Sequence, residues 1–526
     1  MVDWRLRGVS TLVFALAFGS VGAHAGEGEN PWFSDGRPGP LAHQAVQLLA
    51  DATSHGLDAR DYAAASIARD IDAAGTVALP DAAMRSRIHR ALDAAMRRYL
   101  NDLHSGRVDP RQLHSRYAVS ARPAFDAGGV LQEASARGDL RLAVQRAVPK
   151  LPLYERLRDA LARYRALATH AAWQQALPPL ATAGASKGKL EPGQAWDGLA
   201  RLQQRLVALG DMPAAQGVDP PAVFREPLVQ AVRVFQQRHG LQPDGVIGAA
   251  TWRALQTAPA VRVRQIELAL ERLRWTPLLA HARTIVVNVP EFVLRAYEVR
   301  DGRVDVQRTM KVVVGKALDT RTPLIEAELR FIEFSPYWNV PSSIARHEVV
   351  PLLLRSPGVW ARDGYEFVDE SGQADTAYAR DKLDAVLAGR LRLRQRPGPR
   401  NPLGDIKFVF PNQEQVYLHH TPSTRLFERE RRDFSHGCIR VEQPVELASF
   451  VLQDMPAWNE SRIREAMARG TSATLAVAQP VHVLIAYGTA LVKEGRVFFF
   501  DDVYGLDAQL DAALRRVALT RQAMRP

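Results

Sequence analysis

One stretch of this 526-residue chain carries residue types that can do covalent chemistry. It reads Phe434-Ser435-His436-Gly437-Cys438-Ile439-Arg440 and holds the chain's single cysteine. Upstream, the alternating segment from Gln415 ends in Tyr417-Leu418-His419-His420, and eighteen residues separate His419 from Cys438. A free thiol has a pKa of about 8.5 and only the thiolate attacks well, so a nucleophilic cysteine needs a base or a positive field. A histidine from a neighbouring element supplies both. Gly437 lets backbone approach closely. The Gly437 and Cys438 amides are natural donors to a tetrahedral oxyanion. Arg440 can hold a substrate carboxylate, or it can make a surface ion pair. The spacing favours His419 as the base, with His420 the alternative. Tyr417 reads as packing or as a substrate contact. Trp338 reads as pocket wall or as core. Ser435 either bonds locally or touches substrate. His419, His420, His436 and Cys438 also offer nitrogen and sulfur ligands, but their spacing fits no common zinc pattern, so neither a metal nor a cofactor is expected.

Strands must position these groups. Residues 284–289, 291–299 and 306–315 have period-two hydrophobicity, and Asp301-Gly302 reads as a hairpin turn. Residues 406–412 and 416–420 continue the pattern. Pro444 should open a helix reaching about Leu452. Residues 480–488 and 496–505 are expected to pair as a late hairpin. Residues 280–526 thus read as mainly β, with an insertion at about 345–400. That insertion reads as a lid with Gly358, Gly364 and Gly398 as hinges.

The first half reads differently. Residues 26–40 look like a mobile leader rich in Gly and Pro, and 41–180 like a helical domain. Ile88, Leu92, Met96 and Leu100 form an apolar stripe at steps of four. Residues 181–195 read as a linker. Residues 196–258 form a small unit with helices ending near Gly210 and Gly240. Thr251 is the expected cap of its last helix. The fold class is therefore multidomain α+β.

A hydrophobic share of 47% excludes wholesale disorder, and no stretch after residue 25 approaches the ~18 apolar residues of a membrane span. Arg5 and Arg7, the apolar run Val9–Val21 and Ala23-His24-Ala25 make a signal peptide with cleavage after Ala25. The product is then exported and not integral to the membrane. The formal net charge of +11 comes from dispersed Lys and Arg without interleaved aromatics, which disfavours a nucleic-acid partner.

The block from His419 to Cys438 resembles the YkuD-type L,D-transpeptidase family, whose signature is a His, a spacer and Ser-His-Gly-Cys. Residues 335–353, 417–444 and the tail Asp501–Asp507 look like its large periplasmic, YcbB-like subgroup, as do 56–62 and 102–110. Residues 235–252 resemble the peptidoglycan-binding domain 1 family, a three-helix module, through Phe235-Gln236, Gly240-Leu241, Asp244-Gly245, Gly248 and Thr251-Trp252. That family's Asp-Gly-x-Phe-Gly is missing, and Met212 to Phe224 stands in its place.

The resemblance implies a helical scaffold domain, a peptidoglycan-binding-like domain and a mainly-β catalytic domain over 262–526. It implies a periplasmic enzyme acting on peptidoglycan stem peptides and glycan, with cell-wall synthesis proteins as partners. Cys438 matches the nucleophile, His419 the general base, His436 a second histidine near the thiol, and Gly437 with Cys438 the oxyanion donors. His420 departs from the family pattern. The implied reaction forms a thioester on a tetrapeptide stem with release of D-alanine. Transfer to an amine then gives a 3→3 cross-link, and carbapenems should acylate the same thiol. Water as acceptor would make an L,D-carboxypeptidase instead. A catalytically dead wall-binding scaffold is the non-enzymatic alternative.

Overall fold

The computed structural model describes residues 30–77, 79–113, 124–180, 188–214, 222–276, 280–318 and 320–523. The signal peptide, residues 26–29 of the leader and 181–187 of the linker lie outside the described residues. Within the leader, the expectation of mobility is corrected for residues 30–40. Trp32 is 1% exposed, and Phe33–Ser34 pairs with Arg37–Pro38 as a short hairpin. Both Trp32 and Phe33 pack into the helical core, where burying the indole offsets the cost of ordering the backbone. Pro40, at the first position of helix Pro40–Ala50, follows directly.

The stripe at steps of four lies on helix Ala82–Ser105, and Ile88, Leu92, Met96 and Leu100 are fully buried. Asp81 caps that helix by accepting from the Met84 amide. Helix Pro152–Ala168 belongs to a second core. It shares this core with helices Leu199–Leu209, Leu228–Arg238, Ala249–Gln256 and Pro259–Leu273. Leu190 bridges to Ile247, so the end of the expected linker is part of this unit. Thr251 does not cap the last helix. Gly248 takes the N-cap position, and Thr251 is buried, accepting from Gln236 Nε2 at 3.1 Å. Gln236 also bonds Asp244 and the Gly245 amide, which fixes the Asp244-Gly245 turn.

The C-terminal half is a nine-stranded sheet. In spatial order its strands are Asp433–Ser435, Arg303–Gly315, Ile439–Val441, Leu418–His419, Ile406–Val409, Ile325–Phe334, Ala473–Ala486, Arg283–Asn288 and Val293–Arg300. Val293–Arg300 also pairs back onto Arg303–Gly315 through the Asp301-Gly302 turn, so the sheet closes on itself. Closure removes free edges. Ile285, Val287, Leu329, Ile332, Leu418, Ile439, Val483 and Ile485 fill one face, and helix Pro444–Val451 covers it with Leu447 and Ala448.

Two further expectations are corrected. Residues 480–488 do not pair with 496–505. Strand Ala473–Ala486 sits between Ile325–Phe334 and Arg283–Asn288, and the late hairpin is Ala490–Lys493 with Arg496–Phe499. Asp501–Asp507 then leads into an unforeseen helix, Leu506–Ala523. Arg521 on this helix clasps Asp102 of the first helical domain at 2.6 and 2.9 Å. The insertion is also more than a lid loop. Strands Trp338–Asn339, Arg392–Gln395, Tyr365–Val368 and Ala374–Asp375 form a separate four-stranded sheet. It has its own core around Leu353, Trp360, Phe367, Leu383 and Leu393. Gly358 lies in helix Gly358–Asp363, and Gly364 ends that helix in the left-handed region.

Three histidines are held neutral by burial, one in each unit. His55 is pushed down to about 3 by desolvation, with Arg158 and Arg274 adding to it. His239, stacked between Phe235 and Phe499, lies well below its usual range for the same reason, with Arg238 and Arg262 beside it. His419 is likewise pushed down to about 3. In each case the unfolded chain takes up a proton near pH 6.5 that the folded unit refuses. Stability is therefore complete above that pH and is lost as pH falls below it. Each group contributes about 1.4 kcal/mol per pH unit to this loss. Calorimetry between pH 7.5 and 5.5 should show Tm falling by a few degrees in every unit. A flat Tm would contradict the burial of these rings as neutral groups.

Candidate active site

The parallel pair Leu418–His419 and Ile439–Val441 sets the site, with Leu418 opposite Ile439 and His419 opposite Arg440. Leu418 and Ile439 point into the core and are fully buried. Alternation along each strand then puts Tyr417, His419, Cys438 and Arg440 on the other face. Continuing outward, His419 stands opposite Lys407, and Lys407 opposite Glu333. Four strands thus set Glu333, Lys407, His419 and Arg440 in one row across this face. Lys407 Nζ bonds Glu333 at 3.0 Å and lies 4.4 Å from the centre of the Tyr417 ring.

Cys438 is partly exposed. Its Sγ donates toward the Gln415 carbonyl at 3.8 Å. Burial pushes the thiol up. Hydrogen bonds from the Tyr417 amide and hydroxyl, and the charges of Lys407 and Arg440, pull it back down. Tyr417 is therefore in contact with the thiol itself. Its own hydroxyl is raised well above the usual range by burial and then by the thiol.

His419 is 4% exposed, and its Nδ1 lies 2.5 Å from the His420 carbonyl. A neutral imidazole carries one ring proton, which the His420 carbonyl draws to Nδ1, and the Leu403 carbonyl also bonds the ring. Desolvation and Arg440 are the main causes of its low pKa. His420 faces away, with Nδ1 3.3 Å from Asp405, so the two histidines are not equivalent. His436 lies two residues before the thiol and is exposed. Its Nε2 is 2.6 Å from Glu348, on the π turn Ala345–Val349 of the insertion.

The turn bearing the thiol is built from inside. Ser435 Oγ donates to the Cys438 carbonyl at 2.5 Å and accepts from the Gly437 amide at 3.3 Å. Ser435 thus bonds within the turn, and without substrate the Gly437 N–H points to its hydroxyl. Gly437 is required for its φ of +109°, not for close approach, since a Cβ there would meet nothing nearer than 3.9 Å. Close approach applies to Gly315, where a Cβ would lie 1.9 Å from the Thr320 carbonyl oxygen. Thr322 Oγ1 accepts from the Gly315 amide and donates to the Gly437 carbonyl, both at 2.8 Å. Tyr504 donates to the Gly315 carbonyl at 2.6 Å and accepts from the Thr322 amide at 3.2 Å. Thr322→Val should leave both buried backbone groups unpaired and cost about 2–4 kcal/mol. The Tm of the sheet domain should fall by several degrees, and an unchanged Tm would remove Thr322 from this framework.

Arg440 makes no ion pair among the described residues. Its Nε is buried without a hydrogen-bond partner, on the face that carries the thiol. That excludes the surface-ion-pair reading. Trp338 packs against the core of the insertion, the alternative to a pocket wall. Glu348, Lys407, Thr322 and Tyr504 escaped the reading of the sequence. Glu348 and Tyr504 lie inside stretches that carried the resemblance, residues 335–353 and the tail Asp501–Asp507, while Lys407 and Thr322 left no such signal.

Comparison with known proteins gives matches to three family models and one relative. Residues 282–483 match the YkuD model, described as "L,D-transpeptidase catalytic domain". Residues 27–161 match the "Scaffold domain" model, and 197–255 match the "Putative peptidoglycan binding domain" model. A Haemophilus influenzae protein named "Putative L,D-transpeptidase" is 30% identical over 250 residues, 48% of this chain and 49% of that protein. The match spans about half the length of each. Among the described residues, no helix is long and apolar enough to cross a membrane.

Proposed function

The chain carries a YkuD-family L,D-transpeptidase catalytic domain beside a peptidoglycan-binding module and a scaffold domain, and from that premise we propose that it joins peptidoglycan stem peptides through an acyl-enzyme on Cys438. The observation that carries this reading is the shared sheet face of Tyr417, His419, Cys438 and Arg440. His419 Nε2 takes the thiol proton as the sulfur attacks the carbonyl of the third stem residue. The resting structure has no direct His419–Sγ bond among its described contacts, and such bonds often tighten only when substrate arrives. The Tyr417 hydroxyl and the Cys438 amide steady the oxyanion, since Gly437 N–H is turned to Ser435.

The C–N bond to D-alanine then breaks, and the leaving amine takes the proton from His419. A thioester remains. The side-chain amine of a second stem attacks it, an amide forms and the thiol is restored. The unpaired Arg440 Nε suits a stem carboxylate. Export by the segment 1–25 would put the enzyme in the periplasm, where its substrate is, and a carbapenem would acylate the same thiol.

The test is a purified chain given disaccharide-tetrapeptide, with intact mass and products read together. A +acyl adduct with 3→3 dimer is expected. Tripeptide without dimer would assign the carboxypeptidase, and neither adduct nor product would leave the wall-binding scaffold.

A further inference from the structure

A second cluster of chemically competent side chains lies on the same closed sheet, away from the thiol. Val481, Val483 and Ile485 face the main core, so His482 faces the other way. The same alternation puts Glu326 and Thr284 on that outer face. His482 Nε2 is 3.1 Å from Glu326 Oε1, with side chains 3% and 2% exposed. The His281 ring stacks on His482, with centroids 4.0 Å apart and planes at 13°. One ligand atom from each of His281, Glu326 and His482 lies within 4.8 Å of the others.

Two buried polar atoms here have no hydrogen-bond partner among the described residues, His482 Nδ1 and Thr284 Oγ1. They belong to residues directly opposite each other on adjacent strands. Buried polar atoms in folded proteins are nearly always paired, so two neighbouring orphans ask for an occupant. The cluster is not part of the acyl-transfer site. Glu326 lies near the start of strand Ile325–Phe334 and Glu333 near its end. At about 3.3 Å per residue that separation is roughly 20 Å.

We propose that His281, Glu326 and His482 bind one zinc-like divalent transition-metal ion that clips three distant parts of the catalytic domain together. Two imidazoles and a carboxylate suit zinc and its neighbours and not calcium or magnesium. Bonds of about 2.0–2.1 Å set tetrahedral ligand atoms about 3.4 Å apart. His482 and Glu326 already meet that spacing. His281 is the more exposed partner and must swing edge-on, because in-plane lone pairs of two stacked rings cannot meet on one ion. With Nε2 on the ion, Thr284 Oγ1 then accepts from the second ring nitrogen of His482, Nδ1, opposite it on the next strand. The fourth position is open to water. The ion acts on stability and leaves the thiol chemistry untouched.

The test uses the full chain with Cys438→Ala, so that no thiolate competes for metal. The protein is stripped with chelator, given ZnCl2 or CoCl2, desalted and counted by elemental mass spectrometry. One retained equivalent is expected, with visible cobalt bands. At zinc a hundredfold above Kd, Tm should rise by about 5–10 °C. His281→Ala, at the most exposed ligand, should lose both the equivalent and the shift while keeping its metal-free Tm. Retention below about a tenth of an equivalent would overturn the site. So would a full equivalent retained in both His281→Ala and Glu326→Gln.

Discussion

Changing His419 to glutamine is expected to slow acylation of Cys438 by about three orders of magnitude, the upper range for loss of a positioned base. The amide can still donate to the His420 carbonyl that now holds Nδ1, so the strand should keep its geometry. It cannot accept a proton. Burial lowers the His419 pKa to about 3, and burial raises the Cys438 thiol. The resting pair is therefore thiol and neutral imidazole, not an ion pair.

The sign of the pH dependence follows. The competent form exists above about pH 3, where His419 is unprotonated, and persists until the thiol ionises. D-alanine release by the wild type should stay level from about pH 4.5 to neutrality and fall only in stronger acid. The glutamine variant relies on the small fraction of spontaneous thiolate, so its rate should climb about tenfold per pH unit until the raised thiol pKa. A variant with wild-type rate and a level profile would remove His419 as the base.

Cys438→Ser should have the larger effect on turnover, a loss of at least about 10⁴-fold. The hydroxyl is close in size to the thiol and can keep both Tyr417 hydrogen bonds, so Tm should stay within about 1 °C of wild type. A hydroxyl does not ionise at accessible pH, and the Lys407 and Arg440 charges that favour a thiolate are too weak to change that. Mass spectrometry should find no adduct with stem peptide or carbapenem. An adduct on the serine variant would mean that a different side chain carries the acyl group.

Local pattern predicted local things well. Alternation placed the strands beside the thiol because one face is buried in Leu418 and Ile439 and the other is functional. The stripe through Ile88 and Leu100 was legible for the same reason, a single buried helix face. Long-range pairing was not legible. Residues 480–488 have no pattern that distinguishes a hairpin partner from the strands Ile325–Phe334 and Arg283–Asn288 they do contact.

The site shows the same division. Cys438 and His419 stood out by type and spacing. Lys407 and Glu333 entered the catalytic row through sheet register alone. Ser435 was ambiguous until its bonds to the Cys438 carbonyl and Gly437 amide were seen. Tyr417 looked like packing because a buried tyrosine on a strand usually is, and only the thiol beside it says otherwise.

The tail beyond the late hairpin has a consequence for the life of the chain. Tyr504 braces Gly315 and Thr322 beneath the thiol turn, and Arg521, a few turns later, grips Asp102. Both anchors emerge from the ribosome after Cys438 does. The framework under the thiol turn is therefore completed only when these later residues return to it. Loop closures spanning 189 and 419 positions are slow steps. The first domain and the thiol turn are thus secured by the same late segment.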